Sequence, residues 1–178
     1  MVGNGPDDQG LRLRAEDSED LAVISACVQD ALVAVRDLAY DPDARTFMLV
    51  ANRFRWEGCC GGAEEGRPFE RTLCGITFDN VEAVAYRGFH RSEEDRILSL
   101  LAIRPIPGQP SPGQSMPGQP PAGAGVPGAA PAGATIDLEF AGEAKIRLTV
   151  SAIRCRARDF GEPWPTAWQP GHELDETG

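Results

Sequence analysis

With 178 residues, 42% of them hydrophobic and 25% charged, the chain has the composition of a single globular domain. Its net charge of −10 and isoelectric point near 4.7 argue against non-specific binding to phosphate backbones or anionic membranes, which need a positive field. No apolar run reaches the ~18–20 residues of a membrane-spanning helix. The start, MVGNGPDDQG, lacks the basic and apolar regions of a signal peptide, and the five cysteines show no framework spacing, so a cytoplasmic protein with reduced thiols is expected.

Residues 1–10 read as a disordered leader. Leu11-Arg12-Leu13-Arg14 alternates apolar and polar side chains, which predicts a first strand. A helix is expected over 18–31: Asp17 or Ser18 caps it, Glu19 and Asp20 suit its positive end, and Leu21, Ile24, Val28 and Leu32 form one stripe. From Val33 to Trp56 a hairpin is expected around the turn Asp41-Pro42-Asp43-Ala44. Its second arm, starting at Thr46, reads as a central strand whose far end, with Arg53 and Arg55, emerges into solvent. A loop over 58–68 precedes strands at Thr72–Phe78 and Val81–Tyr86, joined at Asp79-Asn80. After the charged segment Arg87–Asp95, expected as a loop or a short helical turn, another strand runs from Ile97 to Arg104.

Between Pro105 and Ala134 there is no charged residue, and nine of the chain's 15 prolines fall there. Such a segment buries too little apolar surface to offset its ordering entropy, so a disordered loop is expected inside one domain spanning 11–170. Pro-Gly-Gln recurs at Pro107, Pro112 and Pro117, too short a repeat to stack. Beyond it, Ile136–Phe140 and Lys145–Val150 alternate as strands around a turn at 141–143. The apolar parity then flips, which predicts a bulge or bend near Ser151–Ala152. Asp159 to Thr166, with Pro163 and Pro165, is expected to lie outside any helix or central strand, as a strap holding Phe160 and Trp164 to the core. Residues 171–178 read as a flexible tail. The fold class expected is α+β: mainly antiparallel sheet of about seven strands, coiled into a half-barrel, with one N-terminal helix, or alternatively a β-sandwich.

No phosphate-binding glycine loop, nucleophile elbow or zinc-binding His-Glu-x-x-His occurs. His90 and His172 lack partners at metal-ligand spacing, and adjacent Cys59 and Cys60 chelate poorly. No catalytic residue, metal or cofactor is therefore assigned. The arginines are more informative, since they supply 16 of the 17 basic residues. Arg154, Arg156 and Arg158 share one parity, Arg53 and Arg55 another, and Arg12 and Arg14 a third. If their strands are neighbours, they form a basic ridge for an acidic partner, a phosphate or RNA; otherwise they pair across strands with some of the 27 acidic residues. Trp164 is a candidate anchor beside them. The expected function is a non-catalytic binding or adaptor module for a protein partner or a second copy of the chain. The alternatives are a binder of small ligands or phosphate groups, and an RNA-associated protein, which the acidic net charge disfavours.

Several segments carry a resemblance to a known family: Leu11-Arg-Leu-Arg-Ala-Glu-Asp17, Glu19-Asp-Leu-Ala-Val-Ile-Ser25, Asn52-Arg-Phe-Arg-Trp-Glu57, Ser99-Leu-Leu-Ala-Ile103 and Phe160-Gly-Glu-Pro-Trp-Pro165. In these the chain resembles the alphaproteobacterial domain-of-unknown-function family 2948. The resemblance implies a small cytoplasmic bacterial protein, and it brings no activity, cofactor or catalytic residue. The Pro/Gly-rich insert departs from the shorter connection expected in that family.

Overall fold

The computed structural model describes residues 10–56, 69–106 and 133–167. The expected leader (to residue 9), the loop at 58–68, residues 107–132 of the Pro/Gly-rich loop, and the tail lie outside the described residues, as do Cys59, Cys60 and His172. Within them, in chain order, are β1 (Arg12–Ala15), α1 (Ser18–Cys27), β2 (Ala31–Ala34), β3 (Leu38–Asp41), β4 (Thr46–Phe54), β5 (Phe69–Phe78), β6 (Val81–Arg87), β7 (Ile97–Ile106), β8 (Ala134–Phe140), β9 (Lys145–Val150) and β10 (Cys155–Thr166). β7 and β8 extend into both ends of the span expected as a loop, pairing Pro105 with Ile136 and Ile106 with Thr135.

The helix begins as its sequence dictates. Asp17 caps it, its carboxylate accepting the Asp20 amide at 2.8 Å, and Leu21, Ile24 and the C-cap Val28 are wholly buried. It stops at Cys27, short of the expected residue 31. Asp30 adopts φ 60 and donates its amide to the Leu100 carbonyl at 2.8 Å, which draws the chain into the ladder with β7. Leu32, expected on the helix stripe, instead stands opposite Asn52 and Ser99. Tertiary context outweighs the helical pattern here: on the strand, Ala31 and Val33 are wholly buried in the core, and β-branched Val33 suits the strand.

All strand pairs are antiparallel, in the order β1-β10-β5-β4-β2-β7-β8-β9-β6, with β3 also on β4. The sheet is open, not closed into a barrel, and has ten strands among the described residues rather than about seven. One extra strand comes from the first arm of the expected hairpin, which a short turn at Val35–Asp37 divides. Before it, β2 pairs with β7; after it, β3 pairs with β4. β2 meets β4 only at Leu32–Asn52, so this kinked segment makes a corner in the sheet.

Short connections fold the two parts of the sheet over each other. Only Asp79 and Asn80 separate β5 from β6, although these strands are far apart in the sheet order, and Asn80 takes φ 62 to make the turn. The β6 side then returns to the start of β4: the Val81 amide donates to the Arg45 carbonyl at 2.8 Å, and the Tyr40 hydroxyl to the Glu82 carbonyl at 3.2 Å. Between the two parts lies one core, including Phe47, Leu49, Ile76, Phe78, Leu100, Leu138 and Leu148. α1 packs on β1 and β7, and Ser25 Oγ accepts the Ile103 amide at 2.8 Å.

Of the bulge or bend expected near Ser151–Ala152, the bend is what forms: the chain bends at 151–152, and residues 151–154 carry it from β9 to β10, which lie in different parts of the sheet. Another expectation is corrected. The segment expected as a strap is strand: β10 continues to Thr166 along β5. Its prolines are tolerated because β1 pairs with β10 only over Cys155–Arg158, leaving the later residues with one neighbouring strand among the described residues.

Candidate docking surface

The surface is set from inside the core. In β4, Phe47, Leu49 and Ala51 point inward, and Arg53, in phase with them, is wholly buried. Its guanidinium grips Asp159 of β10 at two points, Nε to Oδ1 at 2.8 Å and Nη2 to Oδ2 at 2.6 Å. Its Nη1 donates to the Phe54 carbonyl at 3.3 Å. Asp159 Oδ2 also accepts the Leu11 amide at 2.9 Å, while the Asp159 amide donates to the Leu11 carbonyl at 2.9 Å. Burial raises the Asp159 pKa, but the bonds from Arg53 and Leu11 and the charge of Arg53 outweigh it and hold the carboxyl below its ordinary value. The same carboxylate thus anchors β4, β10 and the start of β1. Beside it, burial together with the negative charge of Asp159 pushes the Cys74 thiol up to about 12.

This anchoring fixes the register of β1 on β10 and decides what faces solvent. Arg12 stands opposite Arg158, and Arg14 opposite Arg156, all four exposed on the outer face. Only Arg156 among them forms an ion pair with a described residue, with Asp79 at 3.1 Å. Next along the face, Arg158 is opposite Gly75 and Arg156 opposite Thr77, with Met48 beyond. The Phe160 ring lies over Gly75, 3.6 Å from where a Cβ would stand, beside the arginines. Phe160 is 45% exposed, Met48 41% and Trp164 36%. Trp164 lies opposite Arg71, beyond a register shift that starts after Phe160 and contains Gly161 at φ 75.

The predicted site residues therefore separate. Arg156 and Arg158 come together with Arg12 and Arg14. Arg53 is not at the surface, so the expected emergence of the β4 end into solvent is wrong for this residue. Arg55 follows β4, mostly buried, its Nη1 2.7 Å from Glu70 Oε2. Arg154 is exposed but lies in the connection before β10, where its carbonyl accepts the Asp79 amide. Trp164 is partly exposed at the far end of β10. Sequence reasoning missed Asp159 as the partner of Arg53, and Phe160 as part of the outer face.

A family model, described as protein of unknown function (DUF2948), matches residues 11–116 and 124–172. The chain belongs to this family. Membership covers β1 through β10, so the arginine pairs and the buried Arg53–Asp159 pair both lie in the matched region. Neither the curated proteins nor the solved structures contain a match. Among the described residues no helix is long and apolar enough to cross a membrane, and no group of three or more His, Cys, Asp or Glu side chains is placed to hold a metal ion.

Proposed function

We propose that the protein is a non-catalytic binding module that docks a partner's acidic, aromatic-containing segment on the outer face of β1, β10 and β5. The observation that carries this reading is the facing of Arg12 with Arg158 and of Arg14 with Arg156. Like charges directly opposite across a ladder destabilise it, and a carboxylate placed between them turns that repulsion into attraction. The neighbouring Phe160 and Met48 supply apolar contact, so the partner needs apolar as well as acidic side chains. The face serves better than the free edge of β10, because Pro163 and Pro165 lack the amides that an added strand requires. An acidic peptide fits better than RNA: the rows are short, and Glu16, Asp17, Glu19 and Asp20 follow directly after β1.

A displayed peptide library rich in Asp, Glu and aromatic residues, selected on the full chain, tests the reading. Selected peptides are expected to bind at least about tenfold more weakly to an Arg14→Ala/Arg158→Ala variant, and more weakly at high salt. An empty selection, equal binding to the variant, or tighter binding of a short single-stranded RNA would each overturn it.

A further inference from the structure

The other part of the sheet holds a recess of about 470 Å³ between the end of β6 and the connection to β7. Tyr86, Phe89, His90, Arg91, Glu93 and Arg96 line it. Its apolar part is fixed: Phe89 is only 7% exposed and meets Tyr86 edge-on, with ring centroids 5.7 Å apart. The connection holds its own shape, with the Glu93 amide donating to the His90 carbonyl at 3.0 Å and the Arg96 amide to the Glu93 carbonyl at 2.9 Å. It is also pinned to the turn before β3, where the Val35 and Arg36 amides donate to the Arg96 and Glu94 carbonyls at 3.0 and 3.1 Å. Gly88, at φ +78, sits so close to the β8–β9 connection that a Cβ would fall 2.9 Å from Ala144 Cα. A recess held in this way costs little ordering on binding, and its volume is within the range of about 300–1,000 Å³ usual for small-molecule sites.

Its charge is one-sided. Glu93 is taken by Arg96, at 2.7 Å. Arg91 lies over the Tyr86 ring, 5.5 Å from its centroid, and forms no ion pair with a described residue. An unneutralised guanidinium above an aromatic floor, with an imidazole alongside, suits a ligand that is both anionic and flat. We infer that this recess binds a small aromatic anion, a carboxylate or a phosphate monoester, with its anionic group at Arg91 and its ring against Tyr86 and Phe89. The site is separate from the arginine face of β1 and β10 and does not rest on the docking proposed there.

Amide chemical shifts of the full chain, titrated with benzoate, phenyl phosphate, inorganic phosphate and neutral benzamide, test the inference. Benzoate or phenyl phosphate should saturably shift the amides of residues 88–96, with roughly millimolar affinity as fits so few atoms. The response identifies which anionic group is preferred. Benzamide and inorganic phosphate should bind at least about tenfold more weakly, and Arg91→Gln should cost about as much. An Arg14→Ala/Arg158→Ala variant should bind these probes unchanged. The inference fails if no saturable shift occurs in this loop, if benzamide or inorganic phosphate binds as well, or if Arg91→Gln has no effect.

Discussion

Two strand pairs at opposite sides of the sheet use the same antiparallel register with opposite electrostatics. On β8 and β9, Asp137 stands opposite Arg147 and Glu139 opposite Lys145. Arg147 grips Asp137 at 2.7 and 2.8 Å, and Lys145 reaches Asp137 at 3.1 Å and Glu139 at 3.3 Å. The bond from Arg147, opposed by burial and reinforced by Lys145, holds the Asp137 carboxyl below its ordinary value. On β1 and β10, the facing residues are arginines. The first pair spends its charges on the fold; in the second only Arg156 does so, on Asp79 at 3.1 Å, while Arg12, Arg14 and Arg158 form no ion pair with a described residue. Like charges directly opposed in a ladder do not neutralise one another, so three of these four stay available to a partner.

The largest effect is expected beneath the arginine rows. Asp159→Asn removes the carboxylate charge that the wholly buried Arg53 guanidinium grips at two points, and should cost about 3–5 kcal/mol in urea unfolding. The pH dependence has a definite sign. Because the folded pKa of Asp159 is depressed, its contribution is complete above the unfolded carboxylate value of about 3.9 and fades as pH falls through the folded value. The stability gap between wild type and Asp159→Asn should therefore narrow only in acid; a gap that persists unchanged there would remove the ion pair as its cause.

Asp137→Asn should cost less than half as much in the same assay, since the Arg147 side chain it releases is 51% exposed and water can resolvate it. Equal losses would show that the two pairs are equally dry and undo the contrast. Arg14→Glu makes the β1–β10 ladder resemble β8–β9, opposing unlike charges across Arg156. It should raise stability by about 0.2–1 kcal/mol while weakening acidic peptides, a gain in fold at the expense of binding. A destabilised variant would mean that Arg14 already serves the fold. The smallest signal is chemical: burial, with neighbouring negative charge, pushes the Cys74 and Cys155 thiols up to about 12. Peptide mapping after alkylation should find both unmodified in the native protein and modified once it unfolds.

Much of this was legible locally. The helix start, the Asp41–Ala44 turn and most strands follow from caps, turn chemistry and period-two alternation. The Asp41 carboxylate accepts the Asp43 and Ala44 amides, both at 3.0 Å, as that turn sequence implies. Even the burial of Arg53 was written in its parity with Phe47, Leu49 and Ala51. It reads as solvent-exposed only because a lone arginine on a core face is costly, and the carboxylate that removes the cost lies 106 residues away. Of the candidate site, Arg156 and Arg158 were visible as one row. That Arg12 and Arg14 are the residues facing them depends on a pairing no local pattern encodes.

The sequence by itself determined where most strands and turns form, that one helix follows the first strand, and which side of most strands is apolar, because these depend on neighbours within a few residues. Tertiary structure decided the strand order, the early helix stop at Cys27, the corner at Val35–Asp37 and the extension of β10 through its prolines. Each of those turns on whether a backbone group finds a partner from a distant segment. The like-charged arginine face belongs to this second class, since charge is written in the residues but opposition is written only in the register.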